Sequence, residues 1–211
     1  MASDRMEPAA EEIADPWFNR PIKTSYGGRP YAKFLESFRD LQDTVAAANP
    51  PEEVWERARQ VCSDLIGELK PWWAPERGQP SGTRIDLPGR GDPFLLPLVL
   101  LESTDTSLRG RVAFRRLHLG GGGAAHGGTL PLLFDEVLGR LSNSGDRPTA
   151  RTAYLTVNYR HITPLNIELD VEAHLERQDG RKRWISGRLA HGDTLLADAE
   201  GLFVQLRPGQ P

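Results

Sequence analysis

Apolar residues recur along this chain with two different periods, and the change falls near residue 90. After Pro30, Phe34, Leu35, Phe38, Leu41 and Val45 follow one another at three- and four-residue steps. That spacing places them on one face of an amphipathic helix. Asn49-Pro50-Pro51 stops the pattern, and Pro51, tolerated in a first turn, opens a second helix. Val54, Trp55, Ala58, Val61, Cys62, Leu65 and Leu69 share one stripe of it. Two such helices with a short connection predict a helical hairpin. Residues 71–92 are rich in proline and glycine and read as a loop or linker. The predicted organisation is an extended arm over 1–30, carrying Trp17 and Phe18, a hairpin with linker over 31–92, and a folded domain over 93–211.

In that domain the period becomes two. Phe94–Glu102 is an apolar strand candidate, and Leu108, Gly110, Val112 and Phe114 alternate through a second. Leu165–Glu176 is the clearest strand. Ile167, Leu169, Val171, Ala173 and Leu175 point one way, and charged or polar residues point the other. Gln178-Asp179-Gly180 and His191-Gly192-Asp193 are turn signals on either side of a third run, and Thr194–Leu206 closes the set. On the strand after the helix, Ala153, Leu155, Val157 and Tyr159 are assigned to the helix side, and Thr152, Tyr154, Thr156, Asn158 and Arg160 to the other. Antiparallel strands with one dry face, covered by a single helix, define an α+β domain.

The covering helix follows the most informative segment, LGGGGAAHGGTLPLLFDEVLGRL, residues 119–141. Leu130, Leu133, Phe134, Val137, Leu138 and Leu141 form its apolar stripe, with Pro131 in the first turn. Gly127 and Gly128 lie at its start, where first-turn N–H groups favour an anion or a polarised carbonyl oxygen. The glycine run is not a phosphate loop, because it lacks the Gly-Lys-Ser/Thr ending. Asp135 and Glu136 flank the stripe on opposite sides, and the wheel alone does not choose between them. Asp is the poorer mid-helix residue, so Asp135 carries the functional reading.

Composition narrows the classes. The net charge is −3 over 211 residues, which disfavours a nucleic-acid coat. A single cysteine, Cys62, excludes an internal disulfide framework. The longest apolar run, Phe94 to Leu101, is broken by Pro97 and far too short for a membrane span. The acidic first residues lack the apolar stretch of a secretory signal, so a cytoplasmic protein is expected. The five histidines show no metal-ligand spacing, so no metal is expected.

His126-Gly127-Gly128 with Asp135 eight residues after Gly127, together with Arg151-Thr-Ala-Tyr-Leu-Thr-Val-Asn-Tyr-Arg160, resembles the hotdog-fold acyl-CoA thioesterases. The nearest branch is PaaI-like and THEM4-like. The likeness covers roughly 94–207. It implies an antiparallel sheet wrapped round one long helix, and hydrolysis of an acyl-CoA thioester to acid and CoA. It also implies a homo-oligomer, dimer or tetramer, with active sites at the subunit interface. CoA is then part of the substrate, with no further cofactor. By resemblance Asp135 activates water or attacks directly, and the Gly128 N–H, with Gly127 beside it, polarises the carbonyl. His126 orients the turn or the thioester, and a partner-strand hydroxyl matching Thr152 holds the water. Asn158, Arg160, Arg181 and Ser186 match CoA-groove positions, with Lys182 and Arg183 weaker candidates. The usual Gly-Pro-Pro-Gly lead-in and an Asn before His126 are missing; Gly120–Ala125 stands there. Two rivals remain at this point, a hotdog hydratase or dehydratase using His126 and a non-catalytic acyl-CoA-binding protein.

Overall fold

A computed structural model describes residues 26–210. The expected arm, with Trp17 and Phe18, lies outside the described residues up to position 25. Helix α1 (Gly28–Ala47) and helix α2 (Glu52–Leu69) follow the predicted pattern on either side of the Pro50-Pro51 break. Strands β1 (Val99–Ser103) and β2 (Ser107–Ala113) precede a small ribbon of β3 (Leu119–Gly121) and β4 (Ala124–Ala125). Helix α3 (Thr129–Ser142) comes next, then β5 (Ala150–Tyr159), β6 (Glu168–Asp179), β7 (Lys182–His191) and β8 (Thr194–Gln205).

Six strands form one antiparallel sheet in the order β1-β2-β6-β7-β8-β5. Helix α3 lies across β5 to β8. Its Phe134, Val137, Leu138 and Leu141 are completely buried against Leu169, Val171, Ala173, Ile185 and Leu189 of the sheet. The helix can sit this close because β7 has a glycine beneath it. A Cβ on Gly187 would stand 2.9 Å from Leu138 Cδ2 and 3.1 Å from Phe134 Cδ1. The glycine run is not a loose loop either. It forms the β3–β4 turn, with Gly122 and Gly123 at positive φ, and a Cβ on Gly120 would stand 2.6 Å from His126 Cα.

Three expectations need correction. The first strand begins at Val99 rather than Phe94, because Pro93 and Pro97 lack the N–H a ladder needs. Thr152 does not lie on the face away from the helix. A bulge between Thr152 and Tyr154 slips the register against β8 by one residue, so Ala150 and Thr152 share the helix side with Leu155, Val157 and Tyr159. Arg183 is not a groove residue. It is 1% exposed, and its Nη1 donates to the carbonyls of Ser142 (2.7 Å) and Pro148 (3.0 Å). It closes the C-terminal end of α3, where a cation meets the helix dipole. Burial pushes its guanidinium pKa down.

The N-terminal extension is tied to this body by side chains. Arg115 pairs with Asp43 (2.6 Å) and Asp40 (2.5 Å) of α1. The buried Arg39 donates to the carbonyls of Pro88 and Asp92, and the Tyr31 hydroxyl to that of Gly91 at 2.6 Å. Arg84 holds Asp86 and the carbonyls of Tyr26 and Gly28. Segment 79–92 is therefore anchored, although it carries no long element. Helix α2 buries none of its residues.

Candidate active site

Asp135 sits in the middle of α3 with its carboxylate exposed. Thr152 Oγ1 donates to Asp135 Oδ1 at 2.8 Å, a bond made within one chain and possible only because of the β5 bulge. The neighbour Glu136 has the opposite fate. It is buried, and Arg90 grips it at both oxygens, at 2.7 and 2.8 Å. Arg140 lies 3.8 Å away, its pKa lowered by burial and raised again in part by Glu136. One carboxylate is thus neutralised by a two-point ion pair, and the other accepts a single hydroxyl and stays exposed.

The start of α3 is built differently. His126 N–H donates to the His118 carbonyl at 2.7 Å, and Ala125 N–H to that of Thr163 at 2.9 Å, which fixes the turn. Gly128 N–H donates to His126 Nδ1 at 3.0 Å. That nitrogen is the acceptor, which leaves Nε2 as the ring's donor position. The donor predicted to meet the thioester oxygen is therefore already engaged. Gly127 N–H has no partner among the described residues, whereas its carbonyl accepts from Tyr159 Oη at 2.9 Å. Gly127 and Asp135 are separated by eight residues, about 12 Å along a helical path.

Among the described residues, two cavities flank this helix with no lining residue in common. One, of about 320 Å³, is lined by Asp135, Thr152, Arg151 and Phe203 on the domain side and by residues of 76–92 on the other. The second, of about 500 Å³, lies at the helix start between Gly127, Leu130, Tyr159 and Thr163. The buried Thr163 hydroxyl there has no hydrogen-bond partner among the described residues.

The predicted CoA residues are only partly brought together. Asn158 Nδ2 and the Arg160 guanidinium converge on Asp198 of β8, at 2.7 and 2.5 Å. The Arg160 hydrogen bond holds the Asp198 carboxyl below its usual range, with Asn158 adding to it. Ser186 donates to Glu176, two residues along β8 register from that row. Arg181 is at the other end of the sheet, donating to the Gln205 carbonyl at 2.8 Å. Gln205 lies seven residues beyond Asp198 on β8, about 23 Å along the strand. Sequence reasoning missed Tyr159, Arg90 and Asp198 as site neighbours. Tyr159 was already on the helix-facing row. Nothing in the sequence linked Arg90 to Glu136 across 45 intervening residues.

The fold has known relatives. A solved structure described as a thioesterase superfamily protein superposes with a TM-score of 0.70 at 27% identity, over 82% of this chain and 94% of that one. The chain has the hotdog fold of the thioesterase superfamily. The superposition extends beyond residues 93–211, so part of the N-terminal extension has a counterpart too. The PaaI protein of E. coli, from its phenylacetic acid degradation operon, shares the hotdog fold at a TM-score of 0.50 and 16% identity, over 53% of this chain and 81% of that one. In sequence, the acyl-coenzyme A thioesterase THEM4 of Mus musculus is 34% identical over 98 residues, which is 45% of this chain and 42% of the relative. The Bos taurus protein of that name is 31% identical over 88 residues, 41% of this chain and 35% of the relative. The chain thus spans less than half the length of these curated relatives. No family model matches it. Among the described residues no helix is long and apolar enough to cross a membrane.

Proposed function

We propose that this hotdog protein hydrolyses acyl-CoA thioesters to a carboxylic acid and CoA, at a site shared between two copies of the chain. The Asp135 carboxylate, held by the Thr152 hydroxyl at the mouth of a cavity, carries the reading. Asp135 removes a proton from a water that attacks the thioester carbonyl, or attacks the carbonyl itself. The oxygen gains negative charge and needs a preorganised donor, a role worth about 10²–10³ in rate. The unengaged Gly127 N–H suits that role better than Gly128, whose N–H His126 already occupies. The carbon–sulfur bond then breaks. On the general-base route the CoA thiolate takes the proton from Asp135. On direct attack, water hydrolyses the anhydride formed on Asp135, releasing the acid and supplying the thiolate's proton. About 12 Å separates Gly127 from Asp135 in one chain, too far to serve one carbonyl. Gly127 of a second copy is therefore the donor opposite Asp135 of the first, while Thr152 belongs to the same chain as the base. Asn158 and Arg160 line the CoA side, and Arg181 lies too far along the sheet to join them. The hydratase reading needs a histidine against a carboxylate, and His126 has no carboxylate partner among the described residues.

Thiol release from a panel of acyl-CoAs tests this. Asp135→Asn should lower kcat by about 10² or more. Mixing Asp135→Asn with Gly127→Val, each inactive alone, should restore up to about one quarter of the wild-type rate if subunits exchange freely, because half the dimers then carry one intact site. Acyl-CoA binding with no release by the wild type would show a binding protein instead.

A further inference from the structure

The cavity beside Asp135 is walled on its far side by segment 79–92 of the N-terminal extension. That wall is built, not draped. Arg90 stands at φ 58°, a left-handed backbone that non-glycine residues seldom adopt. It is kept there by its two bonds to Glu136 and a third, 3.2 Å, to the Gly82 carbonyl. Ser81 Oγ donates to Asp92 Oδ2 at 2.9 Å, which links the two ends of the segment. The helix carrying the reactive carboxylate therefore holds its own pocket wall through the adjacent residue.

The wall is polar. Gln79 and Ser81 face the cavity from the segment and Asn143 from just past the end of α3, with Phe203 the one large apolar side chain on the lining among the described residues. Asn143 is spent on the Ala150 backbone and the Gly139 carbonyl. The Gln79 side-chain amide has no partner among the described residues. Among the described residues, carboxylates outnumber cations on the lining. Glu76, Asp92 and Asp135 stand against Arg151, once Glu136 and Arg90 are paired with each other. An alkyl chain entering here strips water from the Gln79 amide and from the acceptor side of the Ser81 hydroxyl, whose proton Asp92 already holds, and gives nothing back. An acyl group ending in a carboxylate meets like charge. A short acyl group with an uncharged hydroxyl satisfies both constraints.

Resting on the thioesterase reading above, we propose that segment 79–92 is the acyl-selecting wall of the Asp135 site. It admits short acyl groups bearing an uncharged hydroxyl and excludes long alkyl and carboxylate-terminated ones, with Gln79 and Ser81 as the selecting side chains. The full chain is assayed with butanoyl-, 3-hydroxybutanoyl-, succinyl- and palmitoyl-CoA. Binding of the hydrolysis-inert thioethers S-butyl-CoA and S-(3-hydroxybutyl)-CoA is measured beside it. The hydroxylated member should be preferred over its alkyl match by about ten-fold, in kcat/KM and in affinity alike. Gln79→Leu with Ser81→Ala should erase that ratio, and Gln79→Asn should keep part of it. Turnover or binding that favours butanoyl, palmitoyl or succinyl groups overturns the selecting wall, whatever becomes of the hydrolase reading. Preferential binding of the hydroxylated thioether without release of thiol from any ester upholds the wall and overturns the hydrolase.

Discussion

Helices α2 and α3 are both amphipathic by pattern, yet the protein treats them in opposite ways. Helix α3 buries eight of its residues, its apolar stripe against the sheet, whereas α2 buries none. Val61 and Ile66 of α2 are 66% and 62% exposed, and Trp72 and Trp73 beyond its end are 82% exposed. Periodicity says which face of a helix is apolar; it does not say what covers that face. Within α3 the same lesson applies at two adjacent residues. Asp135 and Glu136 flank one stripe, but only Glu136 is close enough to pair with Arg90, while Asp135 faces the open cavity.

The contrast can be broken experimentally. The largest effects belong to α3. Phe134→Ala should cost about 3–5 kcal/mol in a denaturant melt, because it opens a void under a packed sheet. Glu136→Ala should cost about 3 kcal/mol by leaving Arg90 and Arg140 without their anion in a largely dry place. Asp135→Asn, next to it, should shift stability by less than about 0.5 kcal/mol while removing activity, since its carboxylate is exposed. If both acidic substitutions destabilised equally, the division of labour between them would be wrong. In α2, Val61→Ser and Ile66→Ser should also stay within about 0.5 kcal/mol. A loss several times larger, dependent on protein concentration, would show that a second copy covers this face.

The smallest effect sharpens the outer face of the sheet. The folded Asp198 carboxyl titrates lower than in the unfolded chain, first because Arg160 donates to it. Its contribution is therefore present above the unfolded-state pKa, about 3.9, and is lost as pH falls through the lower folded value. A thermal melt series should show wild type losing its small margin over Asp198→Asn below about pH 4. An equal gap at every pH would mean that the Asn158–Arg160–Asp198 cluster adds nothing through charge.

Much of this architecture was legible in the residue order. Every strand after α3 follows a run of alternating residues, because a sheet with one dry face imposes a period of two. The turns at Gly180 and Gly192 follow from a positive φ that glycine adopts without cost, and both have it. Asp135 stood out as a residue poorly suited to mid-helix. Thr152 was misassigned to the outer face because one bulged residue reverses the alternation across it, so the parity that is right for Leu155, Val157 and Tyr159 is wrong for Thr152, and nothing in Thr-Ala-Tyr announces a bulge. Gly128 was preferred over Gly127 because both carry N–H groups at the helix start. Only the position of the His126 ring separates the occupied donor from the open one.

The residue order thus settled what depends on neighbours a few positions apart: the period of each element, the turns between them, and the stripe that α3 turns to the sheet. Contacts between distant segments belong to the folded chain alone. The grip of Arg90 on Glu136, the stitching of α1 to Arg115 and the wall of 79–92 beside Asp135 are such contacts. Local spacing constrains backbone geometry within a turn or a strand. Which side chains meet across tens of residues is decided by how whole elements pack, and the chemistry of the site depends on those meetings.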